Sequence, residues 1–328
     1  MYRSISHIEK SFIKAAYNAF FCICLLMAGG LLFSSCDKDA DLPITVSIIK
    51  ITPSAYSVMF DVEYSGVSSP QTAEFGVFVC YSGIPSVDNH NFVVTTEHLN
   101  PVNKKVDMKL HYLSPVTAYV VVPYVKAGDK YYYGEVVEFT TREEPVLQSG
   151  AIDLGLSVKW ASCNIGASEP GECGNYYAWG EISAKTFYNL GTCLWYNISV
   201  PNIRSLGVID RNNNLTSAND VARQTLGGSW RMPSLTEIDE LLDKCLLDWY
   251  SLNGRGGSLI MGPNGNYIFL PVGGYRDNAT LLKTDSEGRY WSATANQHKS
   301  QYLYISSSLT NPCECSRKYG YTIRPVTK

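Results

Sequence analysis

Cysteine thiols are the first side chains in this sequence whose type and spacing could carry chemistry. Ten cysteines are present, and seven of them follow Cys36: Cys80, Cys163, Cys173, Cys193, Cys245, Cys313 and Cys315. In an oxidising compartment seven thiols allow at most three bridges with one left over, and sequence alone does not give the connectivity. No Cys-x-x-Cys pair occurs, so the spacing predicts neither a zinc ribbon nor a thioredoxin-type site.

Histidine is scarce in the C-terminal part of the chain, where a nucleophile–histidine–acid arrangement would depend on His298 alone. No Gly-x-Ser-x-Gly motif accompanies it. His90, His98 and His111 lack the close spacing of metal ligands. A glycosidase-type pair of carboxylates remains an alternative, because the fold could bring together two of four side chains: Asp153, Glu172, Glu181 and Asp277. Because catalytic side chains are few, we expect that the protein is not an enzyme. A hydrolase is the alternative.

One short segment begins like a calcium-binding loop, with oxygen-bearing side chains at Asp210, Asn212 and Asn214. Leu215 then stands where such a loop needs glycine, and Val221 stands where it needs a bidentate glutamate. We therefore expect a turn before a helix at this place, and no metal.

The clearest element of the C-terminal part is a helix that begins after Ser234. Ser234 and Glu237 have the spacing of a capping box, in which each side chain bonds to the other residue's backbone. Apolar residues then recur at three- and four-residue intervals: Ile238, Leu241, Leu242, Cys245 and Leu246. This pattern predicts an amphipathic helix with one face in a core.

Weaker patterns predict the other elements around it. A first helix would be capped by Thr216 or Ser217, continue through Arg223 and end at Gly227 and Gly228. Strands are predicted at 267–272, 289–292, 302–306 and 321–326.

Short alternating segments fill residues 44–141 and predict six strands, at 44–51, 56–64, 74–81, 105–113, 117–126 and 131–141. In the fourth, Val106, Met108 and Leu110 share one face. A turn at 113–117 leads into a strand with Tyr119 near its start, which resembles the tyrosine corner of β-sandwiches. The region resembles a fibronectin type III module, whose usual role is that of a spacer. Residues 142–150 are polar, contain a proline and predict a linker.

The first 35 residues predict a targeting segment. Arg3, Lys10 and Lys14 precede an apolar run at 19–33, and small residues lead to Cys36. This resembles the lipobox of a bacterial lipoprotein, cleaved so that Cys36 carries lipid. The apolar run spans only about 22 Å as a helix, short of a hydrocarbon core of about 30 Å. Residues 36–43 form a tether, and its acidic cluster resembles the surface-export signal of lipoproteins in Bacteroides-like bacteria (Bacteroidota). A simple solvated tether is the alternative.

The net charge and the amino-acid composition indicate which classes of partner the protein could bind. Residues 1–35 hold three of the 27 basic and one of the 30 acidic residues, so removing them changes the formal charge from −3 to −5. Without a basic surplus, nucleic acid is an unfavourable partner. The 23 tyrosines and the many short apolar runs are typical of a β-rich extracellular protein, and the length predicts two domains.

Six separated motifs carry a family resemblance in residues 151–328. They are DLGLSVKWASCNIGA, YYAWGE, GGSWRMPSLTEIDELL, GPNGNYIFLPVGGYRD, RYWSAT and GYTIRPV. Together they resemble the Fibrobacter-type major paralogous domain of surface lipoproteins, which is similar to the C-type-lectin-like fold of formylglycine-generating enzymes. The resemblance implies two short helices, a twisted antiparallel sheet and long loops. It also implies that four tryptophans are core: Trp160, Trp179, Trp230 and Trp291.

The resemblance bears on chemistry as well. Formylglycine-generating enzymes hold copper between two cysteines, and the nearest candidates here, Cys313 and Cys315, have a shorter interval. An oxidase-like reaction is therefore only an alternative, and no cofactor is expected. The calcium motifs of sugar-binding C-type lectins are absent from the sequence. Cys163 and Cys245 lie in family motifs and could form a disulfide or simply be buried.

These expectations give a mainly β fold: an N-terminal fibronectin III-like β-sandwich followed by an α+β, C-type-lectin-like domain. The expected function is that of an adhesin or binding protein, lipid-anchored in the outer membrane and exposed on the cell surface, that recognises a glycan or a protein through C-terminal loops. Rigid aromatic and polar residues are the candidates for ligand contact: Trp195, Tyr196, Tyr275, Arg276, Asp277, Asn296 and His298. A structural component of a surface or pilus-like assembly is the non-enzymatic alternative.

Overall fold

The structure, a computed structural model, describes residues 43–67, 70–96 and 104–328. The predicted leader, the lipidation residue Cys36, most of the tether and His98 lie outside the described residues. Within those ranges no helix combines the length and the apolar character needed to cross a bilayer.

The N-terminal half consists of two antiparallel sheets. Its strands are β1 (Thr45–Pro53), β2 (Ser57–Ser65), β3 (Glu74–Cys80), β4 (Phe92–Thr96), β5 (Lys105–His111), β6 (Ala118–Ala127), β7 (Lys130–Tyr133) and β8 (Val137–Thr140). One sheet has the order β1-β2-β5, and the other has the order β4-β3-β6-β7 with β8 also paired to β6. Buried residues of both sheets form one hydrophobic cluster, so the sheets face each other across a shared core.

Alternation along β5 is confirmed, because Val106, Met108 and Leu110 are buried. The predicted single strand at 131–141 is wrong: it is divided into β7 and β8. β7 pairs with residues 124–127 of β6, and β8 pairs with residues 118–121. Between these two segments β6 contains Pro123, which has no N–H to donate. The pairing on the β7 and β8 side of β6 is therefore interrupted there. β4 was not predicted.

The predicted tyrosine corner is present. Tyr119 is buried, and its hydroxyl accepts a hydrogen bond from the backbone N–H of Ser114 at 3.1 Å. Its ring stacks on Phe139 with centroids 5.3 Å apart. The hydroxyl therefore fixes the turn before β6 while the ring fills the core.

Changing Tyr119 to Phe tests that hydroxyl. The ring packing is retained and one hydrogen bond is lost, so the free energy of unfolding should fall by about 1 kcal/mol. Urea unfolding followed by circular dichroism measures it. The control is Tyr81→Phe, at a ring that is 51% exposed. Equal stability of the two variants would contradict the assigned role.

The C-terminal half contains short helices and several small sheets. The helices are α1 (Val200–Ser205), α2 (Val221–Leu226) and α3 (Leu235–Lys244). The strands are β9 (Ala151–Ile152), β10 (Lys159–Ala161), β11 (Leu246–Leu252), β12 (Arg255–Met261), β13 (Tyr267–Pro271), β14 (Tyr275–Asp277), β15 (Thr280–Leu282), β16 (Gly288–Asn296), β17 (Lys299–Ile305), β18 (Thr310–Cys315) and β19 (Val326–Thr327). Four antiparallel sheets result: β9-β10-β19, β11-β12-β13, β14-β15 and β16-β17-β18. The protein is thus mainly β.

The capping box of α3 is confirmed, because Ser234 Oγ accepts from the Glu237 backbone and Glu237 accepts from the Ser234 backbone. Burial alone would raise the pKa of Glu237, but hydrogen bonds from Arg231 and from the Ser234 backbone outweigh it and lower the pKa. The predicted helix was too long at its end, since Cys245 is the C-cap and Leu246 begins β11.

A Ser234→Ala variant should lose about 1 kcal/mol of unfolding free energy, because the backbone N–H of Glu237 loses its acceptor. Chemical denaturation measures the loss. Ser286→Ala is the matched control, since Ser286 is exposed. An unchanged midpoint in Ser234→Ala would show that the cap contributes nothing.

Other local predictions need correction. α2 is capped by Asp220, whose side chain accepts from Arg223 N, and not by Thr216 or Ser217. Residues 217–219 form only a 3-10 turn, while Gly227 ends the helix as expected. The strand predicted at 321–326 is reduced to isolated bridges and β19, because the buried side chain of Arg324 and the missing N–H of Pro325 interrupt the ladder.

Three of the four core tryptophans are fully buried: Trp160, Trp179 and Trp291. The fourth, Trp230, is only partly buried, because it lies in the turn between α2 and α3. The expectation that it belongs to the core is therefore wrong.

The two halves meet around Asp248, a buried carboxylate on β11. Its Oδ1 lies 3.1 Å from His111 Nδ1, and its Oδ2 accepts from the hydroxyls of Ser54 at 2.9 Å and Ser57 at 3.0 Å. Beside it, Tyr56, Met59 and Leu147 pack on an apolar cluster formed by β11, β12 and β13: Leu246, Leu259, Met261, Tyr267 and Phe269. Buried polar and apolar contacts thus hold the halves together.

Candidate functional site

Arg317 organises one surface of the C-terminal half. Its side chain is completely buried, and the guanidinium carbon lies 4.9 Å from the ring centre of Trp179. It donates to Ser300 Oγ at 3.0 Å and to four backbone oxygens, of Trp195 at 3.3 Å, Ile198 at 2.7 Å, Gln297 at 3.1 Å and Lys299 at 3.0 Å. Burial lowers the pKa of Arg317 to about 10, which leaves it charged at neutral pH. One buried cation therefore joins the 195–198 loop to the turn between β16 and β17.

The next residues hold a third segment on the same side. Lys318 Nζ lies 2.6 Å from Asp277 Oδ1, and the backbones of Gly320 and Arg276 exchange hydrogen bonds of 2.9 and 3.0 Å. The β14–β15 hairpin is thereby attached to the 317–320 segment. We call the four linked segments 193–198, 275–282, 296–299 and 316–320 the loop face.

All seven predicted contact residues belong to the loop face, although their exposure differs. Tyr196 is 38% exposed, Asn296 is exposed at the end of β16, and His298 is exposed in the β16–β17 turn. Trp195 is partly buried, because its indole N–H donates to Gly180 O at 3.0 Å. Trp195 is therefore an anchor of its loop and not the exposed tip that was expected.

The hairpin residues are likewise engaged within the protein. The Arg289 guanidinium carbon lies 3.7 Å from the ring centre of Tyr275, and the Arg276 guanidinium carbon lies 5.4 Å from that of Tyr176. Arg289 also pairs with Glu287 at 2.7 Å. Two partly buried aromatic rings lie near this cation, Tyr275 and Tyr304, and the ring of Tyr319 packs edge-on against Tyr275 with centroids 5.9 Å apart.

Cys313 and Cys315 lie on the same face of β18, next to this aromatic cluster. Both are free thiols packed against the core. Burial raises the pKa of Cys315 to about 12, and its sulfur lies 3.1 Å from the Tyr321 hydroxyl. Among the described residues no cluster of three or more His, Cys, Asp or Glu side chains could hold a metal.

The disulfide considered between Cys163 and Cys245 is not formed, since both are free thiols. Cys245 is buried beneath α3, and this burial raises its pKa to about 12. Cys163 is partly exposed, with its sulfur 3.6 Å from Ser168 O. The alternative of simple burial therefore holds for Cys245.

Each of the four candidate catalytic carboxylates has a local role. Asp153 accepts from Gly155 N, Glu172 from Ser168 N, and Glu181 from Lys185 and Leu194 N, while Asp277 pairs with Lys318. No two of them are recorded in contact within the described part of the chain. Asp210 Oδ1 accepts from the backbones of Asn212 and Asn214, which is the predicted turn.

No sequence pattern predicted that Arg317, Arg289 or Lys318 would belong to this site. Arginine is ordinarily exposed, so sequence gave no signal that Arg317 would be buried. The only available hint was the composition of the 316–321 segment, which places two cations directly before two tyrosines.

Comparisons with known proteins give no family for this chain. No protein-family model matches it, and no curated protein matches it. Several solved structures show weak likeness, among them two structures of the sensor domain of the anti-sigma factor RsgI4 of Pseudobacteroides cellulosolvens. The first has a TM-score of 0.24 at 11% identity over 34% of this chain and 100% of that chain. The second, a solution structure, has a TM-score of 0.22 at 10% identity over 31% of this chain and 76% of that chain. Likeness at this level carries no argument about function.

Proposed function

We propose that this chain is a non-catalytic binding protein or adhesin, anchored in the outer membrane by lipid on Cys36 and exposed on the cell surface. It recognises a glycan or a protein through the loop face. The N-terminal half is a fibronectin type III-like spacer, and the C-terminal half is a C-type-lectin-like head.

The observation that carries the proposal is the set of five hydrogen bonds made by Arg317. These bonds fix two loops from distant parts of the chain beside the β14–β15 hairpin. Preorganised loops lose less conformational entropy on binding than mobile loops do. A surface of this kind suits recognition, because exposed side chains such as Tyr196 and His298 are presented from a rigid base.

The spacer and head assignments rest on separate observations. Two facing antiparallel sheets and the Tyr119 hydrogen bond support the fibronectin III-like assignment. Short helices, small sheets and long connections support the lectin-like assignment.

A glycan array and a pull-down from surface extracts test the function, using residues 37–328. We expect saturable binding to a glycan or a protein that EDTA does not abolish. Turnover of a glycan or thiol substrate would overturn the non-catalytic proposal, and stoichiometric co-purification with an assembly partner would favour the structural alternative. Loss of binding in EDTA would contradict a site without metal.

The lipid anchor requires its own experiment in the host cell. Full-length protein should label with a radioactive fatty acid and fractionate with the outer membrane, whereas Cys36→Ser should do neither. Accessibility to added protease in intact cells then tests surface exposure. Unchanged labelling of Cys36→Ser would contradict the proposed lipidation.

A further inference from the structure

A cavity of about 750 Å³ lies between the two halves, and none of the residues that line it belongs to the loop face. The N-terminal half contributes His111, the last residue of β5, and Tyr112, which follows it. The C-terminal half contributes β11, including Trp249, and the 306–310 loop. Ligand sites occur preferentially at such junctions between domains, and the volume is within the range of small-molecule sites.

The floor of this cleft is polar, and its buried carboxylate is hydrogen-bonded within the protein. Asp248 is buried, and its two oxygens are occupied by His111 Nδ1 and by the hydroxyls of Ser54 and Ser57. The His111 side chain is 38% exposed, and among the described residues its hydrogen bond is made by Nδ1 and not by Nε2. Because Asp248 orients the ring through Nδ1, Nε2 is available for a ligand hydroxyl.

The rim carries an aromatic residue in an unfavourable backbone conformation. Tyr112 has φ +64° and is 83% exposed. A bulky residue at positive φ is an outlier, and such strain accumulates at functional sites. Its neighbour Leu113 is buried and donates its N–H to Tyr56 O at 2.9 Å, which holds the backbone in place. The core thus maintains a strained geometry that displays an aromatic ring beside the cleft.

The remaining walls combine aromatic surface with hydroxyl groups. Trp249 is partly buried, and the rings of Tyr56 and Tyr250 lie 5.4 Å apart. Three consecutive serines, 306–308, line the opposite side. Apart from the Asp248–His111 pair, Lys109 is the one charged residue that lines the cavity among the described residues. The cleft therefore matches a ligand with little charge, apolar faces and many hydroxyls.

We propose that this cleft binds a neutral oligosaccharide, with the C–H face of one sugar against Tyr112 and a sugar hydroxyl on His111 Nε2. The aromatic rings supply apolar area at low entropy cost, and the serine and histidine groups replace the hydrogen bonds that the sugar makes to water. This site is separate from the loop face and does not depend on the function proposed there.

The test uses residues 37–328 with four neutral trisaccharides: cellotriose, xylotriose, mannotriose and chitotriose. Saturation-transfer NMR detects binding, and calorimetry gives the dissociation constant. We expect at least one trisaccharide to bind, and Tyr112→Ala to weaken its binding about tenfold through the lost aromatic contact. Tyr196→Ala on the loop face and Tyr81→Ala elsewhere should leave the dissociation constant unchanged.

A Tyr112→Gly variant separates a binding role from a structural one. Glycine adopts positive φ without strain, so its thermal midpoint should rise while trisaccharide binding falls. A lower midpoint would show that the ring is needed for folding and would overturn the assignment. So would the absence of binding by all four sugars, loss of binding through Tyr196→Ala, or selection of an extended peptide by the same cleft.

Discussion

Replacing Arg324 with methionine is expected to lower the free energy of unfolding by about 3–5 kcal/mol. The arginine is buried, and it donates to Asn164 Oδ1 at 2.8 Å and to the backbone oxygens of Ala161 at 3.0 Å, Ser162 at 2.7 Å and Phe269 at 2.8 Å. Methionine removes every donor and leaves buried acceptors without partners. It also relieves the burial of a charge, which keeps the loss below the sum of four separate bonds.

The structural consequence of this substitution is specific. Arg324 connects the 161–164 segment to β13, so both should loosen together. Burial lowers the pKa of Arg324, because it disfavours the charged form of the side chain. The four hydrogen bonds compensate for this cost of burial. Urea unfolding monitored by tryptophan fluorescence measures the change. Arg211→Met, at an exposed arginine, is the matched control and should leave stability within about 0.5 kcal/mol of the wild type. Equal midpoints for the two variants would contradict the role given to Arg324.

Replacing Arg317 with methionine should release the loop face. The backbone oxygens of Trp195, Ile198 and Gln297 lose their shared donor, so amide exchange in residues 193–198 and 296–300 should accelerate about tenfold or more. Hydrogen exchange read by mass spectrometry locates the effect. The N-terminal sheets should keep their exchange rates, because none of their residues contacts Arg317.

An Arg317→Lys variant distinguishes geometry from charge. Lysine keeps the positive charge but has three donors on one nitrogen, so it cannot reproduce the planar fork that spans both loops. We expect exchange close to that of Arg317→Met. Full protection in Arg317→Lys would show that charge alone holds the loops, contrary to the geometry described here.

Features set by neighbouring residues could be predicted from sequence. The Ser234 cap, the alternation of β5 and the Tyr119 corner each depend on residues within a few positions of one another. The β11–β12 hairpin was missed although its signal was present. Asn253 and Gly254 have φ of 51° and 82°, as the turn of such a hairpin requires.

Long-range polar contacts could not be predicted in the same way. Arg317 and Trp195 are 122 positions apart, and Asp248 and Ser54 are 194 apart. No local pattern in the sequence predicts that residues so far apart come into contact. Arginine side chains are also usually exposed, so residue type does not predict that this one is buried. The seven candidate contact residues could be chosen for their chemistry, but the contacts that link their segments are made by Arg317, Lys318 and Gly320.

The most direct test of the central claim compares the ligand affinity of the wild type with that of Tyr196→Ala/His298→Ala, for a glycan or protein whose binding Tyr112→Ala leaves unchanged. Both side chains are exposed on the loop face, so the double variant should keep its thermal midpoint. We predict that its affinity falls at least about tenfold, while Tyr81→Ala binds as the wild type does. Equal affinity of the wild type and the double variant would show that recognition lies elsewhere on the molecule.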